Sequence, residues 1–373
     1  MKIAIDIREA GGEKAGKGFY TFNLVRALLK IDRRNQYILY TKNLVPGFEE
    51  FENAEQRAIK GAGIFWHHNV KKDLQRIPPD IYFAPTSYII PALLSKDIPS
   101  IITIHDLVAF LFPSVHQKKA VVIEKVFLRR ALKKVKFICT ISENTKKDIL
   151  ENFDYSASQI DIVSCSASDK FKAIPEENLK DFAQKTNLPK KFFLAVGTLE
   201  PRKNYQTLIK AFDILQKKHP DTHLVIVGGK GWKYQKIFNL IEKRDLTKKV
   251  HALGYVSESS LVNLYNLAQA LVFPSLYEGF GIPPLEAMKS KCPVITSNSS
   301  SLPEVVGEAG ILIDPNSPHE IAKAMAKIID DPQHTEELKE KGIQKSQKFS
   351  WEASAKKLLH IFEKNCHNKN TLK

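Results

Sequence analysis

The chain reads as an α/β protein of two successive domains, each a doubly wound parallel sheet. Three observations predict this. Strands that are apolar nearly throughout, such as Ser100-Ile-Ile-Thr-Ile104, Phe192-Phe-Leu-Ala-Val196 and Leu224-Val-Ile-Val227, belong in sheets covered on both faces. These runs alternate with helical patterns through both halves, as parallel crossover units require. Glycines and charged residues follow several strands directly, where open α/β sheets meet their ligands.

Lys2-Ile-Ala-Ile-Asp-Ile7 is the first strand. Gly11-Gly-Glu-Lys-Ala-Gly-Lys-Gly18 follows as a glycine-rich turn, and a helical pattern runs from Phe19 through Leu29. Strand, glycine turn and helix make a nucleotide-type unit. The glycines do not form Gly-x-Gly-x-x-Gly, and no acid closes a second strand about twenty residues on, so a dinucleotide site is not indicated. Tyr37–Tyr40 and Ile81–Ala84 read as further strands, while residues 41–78 show no clear order. Ser100–Ile104 runs straight into His105-Asp106. A lone histidine is usually structural, but one at a strand's carboxyl end is placed to meet a ligand. Asp106 either orients that imidazole or caps a turn. Phe137–Ile141 is a strand, Ser142 suits the N-cap of a helix reaching about Glu151, and Ile160–Val163 closes the first half.

Residues 164–189 have few apolar pairs, several charges and two prolines, the composition of a crossing between domains. Phe192–Val196 then ends in Gly197-Thr-Leu-Glu-Pro-Arg-Lys-Asn204, ahead of a helix from Tyr205 to Gln216. Two adjacent cations at a strand-to-helix turn, Arg202 and Lys203, are what a diphosphate needs: one chelates, the other is a point charge. Leu224–Val227 leads into Gly228-Gly229. Val250-His-Ala-Leu-Gly-Tyr-Val256 is the next strand, with Ser257 as cap for a helix to Gln269.

The apolar run Ala270–Phe273 reads as a buried strand and opens onto Pro274-Ser-Leu-Tyr-Glu-Gly-Phe-Gly-Ile-Pro-Pro-Leu-Glu286. Gly279 and Gly281 flank Phe280, so the backbone can bend tightly and approach a ligand. Pro283 and Pro284 suit a helix's first turn after Ile282. A glycine turn feeding a helix N-terminus attracts anions. Glu278 and Glu286 bracket this turn with seven residues between them. A bare phosphate site wants few carboxylates, so the pair points to a ligand with hydroxyls beside its phosphates, as a nucleotide sugar has. The plainer alternatives make Glu286 a first-turn acid complementing the helix dipole and Glu278 a solvated loop charge. Pro293–Ser297 and Ile311–Asp314 are the remaining strands, and helical patterns fill Pro318–Ile329 and Trp351–Phe362.

Glu278-x7-Glu286 enclosing Gly-Phe-Gly-x-Pro, taken with Gly197–Asn204 and His105-Asp106-Leu107, resembles the retaining glycosyltransferases of family 4. The likeness covers nearly the whole chain and is tightest from Gly197 to Ile313. It implies the GT-B fold, two Rossmann-like domains facing a cleft. Residues 1–170 would bind the acceptor and 171–350 the nucleotide sugar, with the last helix, about 351–373, packing back on the first domain.

The resemblance also implies roles for individual residues. Gly197, Thr198, Arg202, Lys203 and the turn Gly279, Phe280, Gly281 and Ile282 would hold the donor's diphosphate. Glu286 would hold the ribose, Glu278 and His105 the transferred sugar, and the main chain at Tyr255 and Val256 the base. Gly16 and Gly18, in the first loop, would touch the phosphates or the acceptor. The expected catalytic set is His105, Arg202, Lys203 and Glu278. Some members carry arginine at the position of Thr198. No side chain reads as a covalent nucleophile, in keeping with front-face attack. The phrases look most like mannosyltransferases that use GDP-mannose in cell-surface polysaccharide synthesis, with UDP-glucose or UDP-GlcNAc as the other donors. The acceptor would be a glycan or a lipid-linked sugar. No cofactor and no metal are expected.

Hydrophobic residues make up 43% and charged residues 26%, an ordinary globular composition. The net charge of +15 is compatible with nucleic acid, an anionic membrane or an anionic substrate. The excess is densest in residues 117–136, where apolar positions recur at helical spacing and Glu124 is the one acid among Lys118, Lys119, Lys125, Arg129, Arg130, Lys133, Lys134 and Lys136. This segment is either a basic amphipathic helix for anionic lipid or a domain helix with a solvated face. A non-enzymatic RNA-binding module would interleave cations with exposed aromatics. Here the aromatics sit in apolar strands, so no nucleic acid is expected. A nucleotide-sugar 2-epimerase would share the two-domain fold, but the paired glutamates speak against it. Cys139, Cys165, Cys292 and Cys366 are scattered as reduced thiols would be. The opening Met-Lys-Ile-Ala-Ile-Asp is too short an apolar run for a signal peptide. The expected location is the cytoplasm, peripheral on the inner face of the cell membrane.

Overall fold

A computed structural model describes residues 1–11, 16–113 and 118–367, with the side chains of 118–120 and 367 left aside. The chain divides into two compact units, residues 1–166 with 350–373 and residues 167–349. The boundary thus falls a few residues before position 170, and the segment after it includes a helix, Lys180–Thr186, within the second unit.

The first unit holds seven strands: β1 (Lys2–Asp6), β2 (Gln36–Thr41), β3 (Ala54–Ala58), β4 (Ile81–Ala84), β5 (Ser100–Ile104), β6 (Phe137–Thr140) and β7 (Ile160–Ile162). They form one parallel sheet in the order β3-β2-β1-β4-β5-β6-β7. Strands β4, β5 and β6 are buried at every residue, as sheet positions covered on both faces must be. Edge strand β3, Ala-Glu-Gln-Arg-Ala, is half-exposed and carries no apolar alternation. It is held by its pairing with β2, and sequence reading left it unordered along with the helix Ile64–Arg76.

The first glycine turn is shorter than its sequence indicates. The helix begins at Gly16 and runs to Ile31, so Gly16 and Gly18 lie in its first turn and not in a loop. Gly18 is buried there. Gly12, also part of that turn, lies outside the described residues. The last helix, Trp351–His367, packs on Gly16–Ile31 within this unit, with the Trp351 ring 5.9 Å from that of Tyr20. Of its strand and turn, the His105 end concerns function most and is treated below.

The second unit holds β8 (Phe192–Val196), β9 (His223–Val227), β10 (Val250–Gly254), β11 (Leu271–Phe273), β12 (Val294–Ser297) and β13 (Ile311–Ile313). Their order is β10-β9-β8-β11-β12-β13, again parallel throughout. The core gathers Phe193, Leu208, Phe212, Leu224, Val272 and Met325 between the sheet and its helices. Besides Lys180–Thr186, two further helices here escaped sequence reading. Gln235–Lys243 buries only Ile237 and Ile241, and Pro332–Ser346 only Leu338, Gly342 and Ser346. Gly342 is small because Met288 lies against it: a Cβ there would stand 3.3 Å from Met288 Cγ.

In each sheet the chain starts in the middle and reverses direction once, between β1 and β4 and between β8 and β11. Loops leaving the carboxyl ends on either side of such a reversal diverge and open a crevice. Among the described residues no helix is long and apolar enough to cross a membrane.

Candidate active site

The second sheet's reversal brings two loops side by side. From β8 the chain passes Gly197 (φ 142°), makes a single turn at Pro201–Lys203, and enters the helix Tyr205–Gln216 through Asn204 in the left-handed region. From β11 residues 274–281 lead to the helix Ile282–Lys289. The loops are stitched by Leu276 N donating to Arg202 O (2.9 Å), with Ser275 Oγ 3.2 Å from the same oxygen. Close approach needs the glycines. At Gly228 (φ 150°), beside β8, any Cβ would stand 2.0 Å from Gly197 O.

Both cations turn onto Glu278. Its Oε1 accepts from Lys203 Nζ at 2.6 Å and from Ser275 Oγ at 2.5 Å, while Oε2 lies 2.6 Å from Arg202 Nη1. Arg202 also donates to Tyr277 O (2.9 Å) and to Glu200 (2.8 Å). Lys203 Nζ stands 4.7 Å over the Phe273 ring, a second favourable contact for a buried cation. Burial alone would raise the Glu278 carboxyl. The charges of Arg202 and Lys203, with bonds from Lys203 and Ser275, outweigh it and hold the group at about 2. Burial also lowers Lys203 from its ordinary value, against the pull of Glu278. Glu278 is therefore the counter-ion of the two cations and not a solvated loop charge.

The turn after Glu278 carries a row of donors. Among the described residues nothing accepts from the amides of Gly279, Phe280, Gly281 or Ile282. Unpaired amides in buried backbone point to a ligand. Pro283 and Pro284 have no N–H, so the turn and not the helix end behind it supplies the donors. Gly281 adopts φ 120°, and a Cβ there would meet Leu302 Cδ2 at 2.9 Å. Serines pin the turn from behind: the Ser301 hydroxyl shares its one proton between the carbonyls of Glu278 (2.8 Å) and Phe280 (2.7 Å), and Ser300 Oγ accepts from Glu278 N (3.0 Å).

Glu286 is as buried as Glu278 but has different neighbours. It occupies the middle of the helix Ile282–Lys289, so complementing the dipole from the first turn is not its role. Among the described residues its carboxylate accepts one hydrogen bond, from Tyr265 OH at 3.0 Å. Burial pushes its carboxyl up to about 7, with the Tyr265 bond opposing and the charge of Glu258 adding to the rise. Tyr265 is a site residue that sequence reading missed, since it sits in an ordinary helical pattern. Ser275, Ser300 and Ser301 were missed in the same way.

The other expected positions of this unit are more dispersed. Thr198 is exposed and Gly197 half-buried beside the Lys203 side chain, 3.2 Å from Cε for a Cβ placed there. Tyr255 and Val256 follow β10, which ends at Gly254. Tyr255 is 82% exposed, which rules out a core role and leaves its ring available.

In the first unit His105 stands at the carboxyl end of β5, one strand from the reversal. It is buried, and its Nε2 donates to Pro85 O at 2.7 Å. A carbonyl only accepts, so Nε2 carries the proton and Nδ1 offers a lone pair. Burial and the nearby charge of Lys17 lower its pKa to about 4, against the Pro85 bond and Asp106, which keeps the ring neutral near pH 7. Tyr20 braces it edge-on at 4.8 Å. Asp106 does not orient the ring through that nitrogen; it accepts from Val108 N at 3.0 Å and caps the turn. Ser142 is the N-cap of Glu143–Asn152, accepting from Thr145 N. Among the described residues no three His, Cys, Asp or Glu side chains gather as a metal site.

Two family models match the chain: "Glycosyltransferase Family 4" over residues 16–168 and "Glycosyl transferases group 1" over residues 176–345. The O-antigen chain mannosyltransferase B of Escherichia coli is 33% identical over 289 residues, which are 76% of this chain and 74% of that protein. The serotype-specific mannosyltransferase WbdA of Escherichia coli is 32% identical over 223 residues, 58% of this chain; the chain spans about a quarter of that longer protein (27%). Among solved structures, Anabaena Alr3699/HepE, in complex with UDP and glucose, superposes with a TM-score of 0.79 at 18% identity. That match covers 97% of this chain and 99% of that one.

Proposed function

This chain belongs to glycosyltransferase family 4 and is a glycosyltransferase, and we propose that it moves mannose, with retention, from GDP-mannose to a hydroxyl of a glycan or glycolipid during polysaccharide synthesis. The observation that carries the reading is the meeting of Arg202, Lys203 and four unpaired amides around Glu278 at the sheet's reversal. A departing nucleoside diphosphate develops negative charge, and fixed cations and amides aimed at it supply the largest catalytic share. Mannose is favoured by the relatives' activity, since the O-antigen mannosyltransferase aligns over most of both chains.

In this mechanism the bond from the anomeric carbon to the diphosphate breaks as the acceptor oxygen bonds to the same face. The acceptor's proton passes to the departing phosphate oxygen. Arg202, Lys203 and the amides of Gly279–Ile282 receive that diphosphate. As they do so, Glu278 gives up part of its hold on the cations and turns an oxygen to the sugar's hydroxyls. Glu286 takes the ribose, and His105, through Nδ1, a substrate hydroxyl. Tyr255 and Val256 are assigned the base. Gly197 and Thr198 complete the phosphate turn, and Gly16 and Gly18, at a helix start in the first unit, are assigned phosphate or acceptor contact. No metal is assigned to the reaction.

The test is a panel of nucleotides and donors, with and without EDTA. GDP is expected to bind more tightly than UDP, and GDP-mannose alone to be consumed, at the same rate in EDTA. Turnover of a UDP-sugar instead would overturn the donor assignment.

Glu286 makes donor binding pH-dependent. Below about 7 the carboxyl is protonated and offers one acceptor fewer to the ribose; above it the carboxylate accepts both hydroxyls. The donor's KM is expected to fall several-fold as pH rises from about 6 to about 8, with kcat little changed. Glu286→Gln should raise KM about tenfold and flatten the profile. A profile that persists in the variant would assign the titration elsewhere.

A further inference from the structure

The helix Lys118–Leu132 is buried along one side only. Leu128 and Ala131 enter the first unit's core, and Val121 is buried beside them. Its opposite side is unusual. Val122 is 61% exposed, Ile123 38% and Val126 43%, three β-branched aliphatics on the face turned from the core. Helical spacing lines up Val122, Val126, Arg129 and Lys133, with Ile123 and Arg130 alongside. Arg129, Arg130 and Lys133 are all exposed.

The structure also removes some cations from this face. Lys134 Nζ donates to the carbonyls of Ala92 and Leu94, and Lys136 Nζ to Asn365 O, so both hold the fold together. Lys125 is half-buried with its ammonium 5.7 Å over Phe110; the Arg129 guanidinium reaches the same ring at 6.0 Å, but its side chain stays exposed. The side chains of Lys118 and Lys119 lie outside the described residues. Glu124, the helix's acid, is half-buried and within 3.9 Å of Lys17, away from the exposed stripe. The stripe therefore carries aliphatics and positive charge and no carboxylate.

We propose that this face docks on an anionic lipid surface, with Val122, Ile123 and Val126 at the acyl boundary and Arg129, Arg130 and Lys133 on headgroup phosphates. A simple solvated face has no reason to hold three aliphatics at its centre, and a nucleic-acid face would carry aromatics for stacking. Aliphatics ringed by cations of one sign match an interface whose outer layer is anionic and whose next layer is hydrocarbon. The Lys17–Glu124 contact ties this helix to the start of Gly16–Ile31, at the carboxyl end of the sheet, where a lipid-linked acceptor would be presented. That purpose rests on the transferase reading, while docking itself is scored without transfer.

The full chain is sedimented with vesicles of phosphatidylcholine alone and of equal parts phosphatidylglycerol and phosphatidylcholine. Binding is expected to the mixed vesicles only and to weaken with salt. The variant R129Q/R130Q/K133Q should lose about a hundredfold in partitioning, about fivefold per cation. The variant V122S/V126S should also lose binding while keeping every charge. Both sites are exposed, so both variants should keep the parent melting temperature. Equal binding to neutral vesicles, no binding to either, undiminished binding by either variant, or retention of RNA in place of vesicles would overturn the proposal.

Discussion

Lys203→Ala is expected to lower turnover by about a hundredfold or more, the usual cost of removing one aimed donor at developing charge. The side chain is only 13% exposed, and its ammonium touches Glu278 at 2.6 Å and the Phe273 ring at 4.7 Å. It is thus fixed before any substrate arrives. The fold should tolerate the change. Arg202, also 2.6 Å away, and Ser275 still pair with Glu278, so no buried carboxylate is stranded. The stability cost should be that of one charged hydrogen bond, about 2 kcal/mol. Steady-state kinetics beside a thermal melt separate the two effects. Parent-like turnover would take Lys203 out of the mechanism, and a collapse in melting temperature would make its role structural.

Glu278→Gln should separate binding from turnover. The carboxylate competes with a diphosphate for Arg202 and Lys203, so removing its charge should leave GDP affinity equal or higher. Turnover should still fall about a hundredfold, because the carboxylate no longer positions the sugar or the cations. The variant also leaves Lys203 in a buried site without its counter-ion, while Arg202 keeps Glu200 at 2.8 Å, a loss of about 3 kcal/mol. The pH dependence follows from the depressed carboxyl. Held at about 2 when folded, against an ordinary 4.5, Glu278 contributes stability that is fully present above 4.5 and lost as pH falls toward 2. The stability gap between parent and variant should therefore be wide at neutral pH and close in acid. GDP affinity that falls in step with turnover would mean that Glu278 supports the nucleotide instead of competing with it.

Much of this architecture was legible because its signals are local. Apolar runs such as Phe192–Val196 are buried at every residue, and short apolar strands have few alternatives in an alternating chain. The failures have local causes too. Strand β3 has no apolar face, and only its partner β2 makes it a strand. The helix Pro332–Ser346 shows a thin stripe because Gly342 rests on Met288 and Leu338 alone enters the unit's core cluster. Ile64–Arg76 did carry a signal, with Trp66, Val70 and Leu74 at helical spacing, and could have been found. The first glycine turn was read too long because Gly16 and Gly18 are poor helix formers that the helix start nevertheless includes.

The candidate site divides along the same line. Composition and spacing alone established two parallel-sheet domains, a cationic turn after one strand, a glycine turn after another, and two glutamates around it. Nothing local distinguishes those glutamates. Only the reversal between β8 and β11 sets Glu278 against Arg202 and Lys203, while the helix that follows turns Glu286 toward Tyr265. Two like side chains, both buried, are thereby driven to about 2 and about 7. A carboxyl's charge is decided by the groups packed around it, and those come from distant parts of the chain.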